Sequence, residues 1–96
     1  MKAYIVVDVT IHNPSEYDEY RKLTPASLES FGGKFIVRGG HTETIEGTWQ
    51  PQRFVIVEFP SAQNAREWYN SESYQNAKII RQRTAHTQMI LAEGFE

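Results

Sequence analysis

Residues Ala3 to Ile11 read AYIVVDVTI, with Ile5, Val7, Val9 and Ile11 on one side of an alternating pattern and Tyr4, Val6, Asp8 and Thr10 on the other. A period of two in β-branched residues is a strand signal. The next residues, His12-Asn13-Pro14-Ser15-Glu16, turn the chain into a helix. Asn13 is a good N-cap, Pro14 suits the first helical position, and Glu16 stands where a capping box puts its carboxylate. Tyr17, Tyr20, Thr24, Leu28 and Phe31 then recur at helical spacing. Pro25 disfavours a helical conformation at Thr24 and predicts a kink or a restart there. Gly32-Gly33 predicts the stop.

Beyond that stop the alternation returns. Lys34 to Arg38 (KFIVR) reads as a second strand that resumes after Gly39-Gly40 as His41 to Glu46, with Gly47 turning the chain. Arg53 to Phe59 (RFVIVEF) reads as a third strand, ended by Pro60. Ser61 caps a helix that carries Ala65, Trp68 and Tyr69 on one face, and Asn70-Ser71 breaks it and caps the next piece. Tyr74, Ala77, Ile80 and Arg81 continue the spacing to about Arg83, and Thr87 to Ala92 (TQMILA) reads as the last strand. The order is β-α-β-β-α-β, the split βαβ or ferredoxin-like arrangement of the α+β class. It predicts one domain over residues 1–96, a four-stranded antiparallel sheet of order 4-1-3-2, and both helical regions on one face.

Strand parity predicts a partner. The odd positions Ile5, Val7, Val9, Phe35, Val37, Val55, Val57, Phe59, Met89 and Leu91 are apolar and should meet the helices. The even positions hold Tyr4, Val6, Asp8, Ile36, Arg38, Phe54, Ile56, Glu58, Gln88 and Ile90, a face too apolar to leave in water. A second copy stacked sheet against sheet about a two-fold axis covers it, with the hairpin between strands 2 and 3 adding to the interface. A bulge near Gly39-Gly40 would swap the parity of the second strand and move Arg38.

Composition narrows the chemistry. The chain has 96 residues and 11.1 kDa, with 40% hydrophobic and 23% charged residues, a net charge of −2 and no cysteine. Disulfides, thiolate catalysis and iron–sulfur clusters are excluded, and nothing draws the chain to nucleic acid or an anionic membrane. Asp8 interrupts the apolar N-terminal run, and no segment approaches the roughly 20 apolar residues of a membrane span. The expected location is the cytoplasm.

Four groups of residues could carry chemistry. His12, His41 and His86 fall at one sheet edge, yet strands 2 and 4 place His41 and His86 roughly 14 Å apart at about 4.8 Å per strand. No metal site is expected. Arg38, His41, Trp49 and Arg53 flank the hairpin, where they suit either a planar anionic ligand or the dimer interface. Tyr17, Tyr20, Trp68, Tyr69 and Tyr74 form an aromatic wall on the helices, either plain core or the lining of an aromatic-substrate cavity. Asp8 and Glu58 are strand carboxylates on one face; in a half-apolar setting their pKa would rise and fit a general base, and pairing with an arginine is the alternative. Asp8, His41 and Glu58 are the candidate catalytic groups. No phosphate loop or nucleophile elbow is present.

The runs Phe35-Ile36-Val37-Arg38-Gly39-Gly40, Glu46-Gly47-Thr48-Trp49-Gln50-Pro51-Gln52-Arg53 and Glu58-Phe59-Pro60-Ser61, with Trp68-Tyr69-Asn70-Ser71 and Tyr74, carry a resemblance over essentially the whole chain. It resembles a small bacterial family, domain of unknown function 1330, of the dimeric α+β barrel superfamily. The resemblance implies a ferredoxin-like protomer whose sheet pairs with a partner's to close a barrel. Relatives in that superfamily include cofactor-independent monooxygenases, muconolactone isomerases, haem-degrading enzymes and stress-responsive barrels. The family brings no catalytic residues to transfer. Two functions are therefore expected as alternatives: a cofactor-independent, monooxygenase- or isomerase-like enzyme on a small aromatic or carboxylated metabolite, or a non-catalytic dimeric ligand-binding or stress-related protein.

Overall fold

The first strand, β1 (Ala3–Ile11), lies between β3 (Arg53–Phe59) and β4 (Ala85–Glu93), and β2 (Lys34–Arg38) adds to the far side of β3. All pairings are antiparallel, and the order β2-β3-β1-β4 is the expected one. Helices α1 (Pro14–Glu29), α2 (Ala62–Asn70) and α3 (Glu72–Thr84) complete a ferredoxin-like fold, seen in a computed structural model that describes residues 1–95. The side chain of Asn13 accepts the Glu16 N–H at the start of α1, and Ser61 accepts the Asn64 N–H at the start of α2. Ser71 joins α2 to α3, but its hydroxyl turns back to the Trp68 carbonyl at 2.7 Å rather than forward to cap α3.

The core lies between the helices and the odd-numbered face of the sheet. Ile5, Val7, Val9, Val55, Val57 and Phe59 are buried there against Leu28, Ala65, Trp68, Tyr74 and Ala77. Trp68 is its centre: its ring stacks on Tyr74 at 4.0 Å between centroids and on Phe59 at 5.6 Å, and its indole N–H donates to Ser27 Oγ at 3.0 Å.

Three sequence expectations need correction. First, of the kink or restart expected at Pro25 the restart does not occur: α1 passes through Pro25 as one element. Proline leaves the carbonyl four residues back without its helical donor. That carbonyl, on Arg21, accepts instead from Arg38 Nη2 at 2.9 Å, while Thr24 Oγ1 donates to the Tyr20 carbonyl at 2.7 Å. Second, the bulge in β2 falls between Phe35 and Val37, not at Gly39-Gly40. One extra residue inverts the alternation beyond it, so Val37 faces Ile56 across the ladder and Arg38 faces Val55. Arg38 therefore moves to the helix side and Val37 to the outer side. Third, residues 41–46 form no strand. Gly39, at φ 72°, turns the chain away, and the following loop is held by Asp8. Its Oδ2 accepts from the Trp49 indole N–H at 2.9 Å and its Oδ1 from the Gln52 backbone N–H at 3.0 Å.

The outer face carries an apolar row straight across the sheet. Val37 pairs with Ile56, Ile56 with Val6, and Val6 with Ile90, which is 64% exposed. Phe54, edge-on to Trp49 at 6.0 Å between centroids, extends it.

Candidate functional site

Between α1, α2, α3 and the sheet is a cavity of about 30 Å³, lined by Tyr17, Tyr20, Trp68, Arg38, Arg53 and Arg81 over a floor of strand valines and Ile5. Each element delivers a side chain for a local reason. Tyr17 and Tyr20 occupy one turn of α1 with ring centroids 5.2 Å apart. The bulge brings Arg38 over Phe35, its Cζ 4.2 Å from the ring. Arg53, at the start of β3, packs so closely on Gly39 that a Cβ there would lie 2.5 Å from Arg53 Nη1. Arg81 belongs to the buried stripe Tyr74, Ala77, Arg81 and Thr84 of α3.

The polar groups of this site are unusual in kind. Arg81 is only 5% exposed, and among the described residues no carboxylate pairs with Arg38, Arg53 or Arg81. Nε of Arg53 and Nε of Arg81 are buried without a hydrogen-bond partner. Burying a cation is expensive unless a counter-charge meets it. Phenols stand beside two of these arginines, Tyr17 by Arg53 and Tyr20 and Tyr74 by Arg81. The Tyr20 and Tyr74 hydroxyls share a 2.7 Å hydrogen bond. Burial raises the pKa of Tyr17, Tyr20 and Tyr74 above the ordinary phenol value, Tyr20 furthest, and the neighbouring hydroxyls add to the rise at Tyr17 and Tyr20. These phenols are neutral donors at physiological pH. Among the described residues no carboxylate or imidazole lines the cavity. It is a chamber of donors, suited to holding negative charge.

The raised phenol pKa values have a consequence for stability. Above about pH 10 the unfolded chain loses phenol protons that the folded chain keeps, so stability falls as pH rises. The slope is about 1.4 kcal/mol per pH unit for each phenol that stays protonated. Melting temperatures should hold from pH 8 to about pH 9 and drop as the pH passes about 10, and Tyr74→Phe should flatten the drop. A flat profile would contradict the burial of these hydroxyls.

The remaining sequence candidates lie elsewhere. Asp8 and Glu58 share the outer face, but Asp8 stands opposite Phe54 and Glu58 opposite Tyr4, at different ends of the β1–β3 pair. Asp8 is occupied with the loop. Glu58 is 3.1 Å from both Lys2 Nζ and Lys34 Nζ, and hydrogen bonds from these ammonium groups hold it below the usual carboxylate range, the reverse of the rise expected from its apolar surroundings. Trp49 lies against Phe54 and Asp8. His41 is exposed in the loop, as are His12 and His86 in their own segments. Tyr69 is half-buried at the edge of the aromatic cluster, with Lys78 Nζ 4.4 Å above its ring. Among the described residues no group of three or more His, Asp or Glu side chains is placed to hold a metal ion, and no helix is long and apolar enough to cross a membrane. The sequence reading missed Arg81 as a site residue; its one signal was an arginine in the apolar stripe of a helix.

The sequence profile described as Domain of unknown function (DUF1330) matches residues 2–95. The chain belongs to the DUF1330 family. No curated protein matches it. This DUF1330 chain is similar in structure to a protein of unknown function from Rhodopseudomonas palustris, with a TM-score of 0.77 and 16% identity over 99% of this chain and 83% of that one. It is similar to a dimeric ferredoxin-like protein of unknown function from Jannaschia sp. CCS1, with a TM-score of 0.76 and 11% identity over 98% of this chain and 100% of that one. It is also similar to SnoaB, a cofactor-independent oxygenase from Streptomyces nogalater, with a TM-score of 0.70 and 13% identity over 99% of this chain and 94% of that one. At such identities the likeness is one of fold.

Proposed function

We propose that this protein is a homodimer, joined through the outer sheet face, whose helix–sheet cavity binds a small aromatic anion. The observation that carries the reading is Arg81: a residue only 5% exposed that, among the described residues, has no carboxylate partner and lies beside the neutral phenols of Tyr20 and Tyr74. A bound carboxylate or enolate supplies the missing counter-charge, and Tyr17, Tyr20 and Trp68 supply apolar surface for a ring. At about 30 Å³ the closed cavity holds a water or two. A ring is admitted only when side chains at the mouth part. Arg38, which bridges β2 to the Arg21 carbonyl of α1, is one such clasp.

A catalytic form of the same reading is favoured by the chemistry of the lining. Donors fixed around a ligand stabilise negative charge that develops on it, which suits a substrate reacting through its own enolate or phenolate. SnoaB, similar in fold, is a cofactor-independent oxygenase. A monooxygenase- or isomerase-like enzyme working without cofactor is the catalytic proposal; a binding protein without turnover uses the same contacts.

The test is thermal unfolding with benzoate and, separately, its neutral isostere benzamide. At a hundred times Kd the gain is about 2.7 kcal/mol, a rise of roughly 10 °C or more for a domain of this size. Benzoate should produce a saturable rise that benzamide does not. No rise with benzoate, or an equal rise with both, would overturn the anion reading.

A further inference from the structure

We propose that the cleft between α3 and β4 is the carboxylate subsite of this cavity, and that Thr87 determines its preference for a carboxylate. The inference rests on the anion reading and adds to it the ligand's acidic group, its position and a specificity residue. The cleft measures about 400 Å³ and is lined by Tyr69, Arg81, Gln82, Thr87 and Gln88, among others. Arg81 is common to this cleft and the inner cavity. It forms the wall between a solvent-facing polar space and an aromatic one.

Two buried side-chain atoms of the cleft have no hydrogen-bond partner among the described residues: Nε of Arg81 and Oγ1 of Thr87. Both belong to residues held by regular structure, Arg81 by α3 and Thr87 by β4 opposite Val9. Buried polar atoms without partners are few in folded proteins and call for an explanation. Both atoms are closed to solvent, so a carboxylate meets them only when α3 and β4 part at the cleft; one oxygen then accepts from the Arg81 Nε–H and the other from the Thr87 hydroxyl. Hydrogen bonds to a charged acceptor are the stronger kind. The ligand class is then an aromatic carboxylate whose acid group stays on the β4 side while its ring enters toward Tyr17, Tyr20 and Trp68.

The experiment is calorimetric titration of the whole chain with benzoate, comparing wild type, Thr87→Val and Thr87→Ser. Valine keeps the β-branched shape and removes a hydroxyl that has no partner, so folding is preserved or improved. Loss of one hydrogen bond to a charged group should weaken benzoate binding by about tenfold or more. Thr87→Ser, which keeps the hydroxyl, should bind benzoate within a few-fold of wild type, and benzamide should give no saturable binding to any of the three proteins. If wild type binds benzoate and Thr87→Val binds it equally well, the subsite is wrong and the cavity reading stands. If wild type does not bind benzoate, both fall together.

Discussion

Arg81→Met should make the protein more stable and remove its response to benzoate. Methionine follows the arginine stem as far as the position of Nε, is a good helix former and fills irregular apolar space. The arginine it replaces is 5% exposed and among the described residues has no carboxylate beside it, so burying its charge costs stability. Replacing buried charge by apolar side chains of similar volume commonly gains about 1–4 kcal/mol, which in a 96-residue chain corresponds to roughly 4 °C or more in melting temperature. Tyr74 loses the guanidinium beside it but keeps a hydrogen-bond partner, because its hydroxyl bonds Tyr20 at 2.7 Å. Thermal unfolding followed by circular dichroism, with and without benzoate, reads both effects. A large loss of stability would show that Arg81 is a structural residue, held by contacts that outweigh its desolvation. A gain in stability with benzoate binding intact would remove the anion from Arg81.

Val6→Asp should split the dimer. Val6 lies between Ile56 and Ile90 in the row Val37–Ile56–Val6–Ile90, on the face turned away from the helices. In an isologous interface the substitution enters twice, and each buried unpaired carboxylate costs several kcal/mol. The dissociation constant should rise by at least about a thousandfold. The helix-side core, built from the odd positions, is untouched, so the separated protomers should retain their circular dichroism. Sedimentation equilibrium at micromolar concentration should give twice the 11.1 kDa protomer mass for wild type and the protomer mass for the variant. A wild-type protein that sediments as a protomer would refute the proposed partner.

The architecture was legible because strand parity and helical spacing report local geometry that tertiary contacts did not overrule. Ile5, Val7 and Val9 alternate with Tyr4, Val6 and Asp8, and that alternation alone assigns the buried and outer faces of β1. The aromatic wall was legible for the same reason: Tyr17, Tyr20, Trp68 and Tyr74 fall on the inner faces of their helices. Arg38 was not, because a bulge of one residue changes the side of everything after it, and nothing in KFIVR marks the extra residue as Ile36 rather than a glycine. The loop after Gly39 was misread as strand because alternation in residues 41–46 does not reveal that no neighbouring strand is within reach. Its anchor is Asp8, a contact between residues 41 positions apart. Arg81 was visible as part of a helical stripe, but the feature that matters, the lack of a carboxylate around it among the described residues, depends on every element that packs against α3.

The most direct test of the account is the NMR signal of the Arg81 Nε–H, assigned by its loss in Arg81→Met and followed through a titration with benzoate. A saturable shift of that resonance, with the same midpoint as the rise in melting temperature, is the predicted result. An Arg81 Nε–H that does not move while benzoate saturates the protein, or a protein that benzoate never saturates, would contradict it.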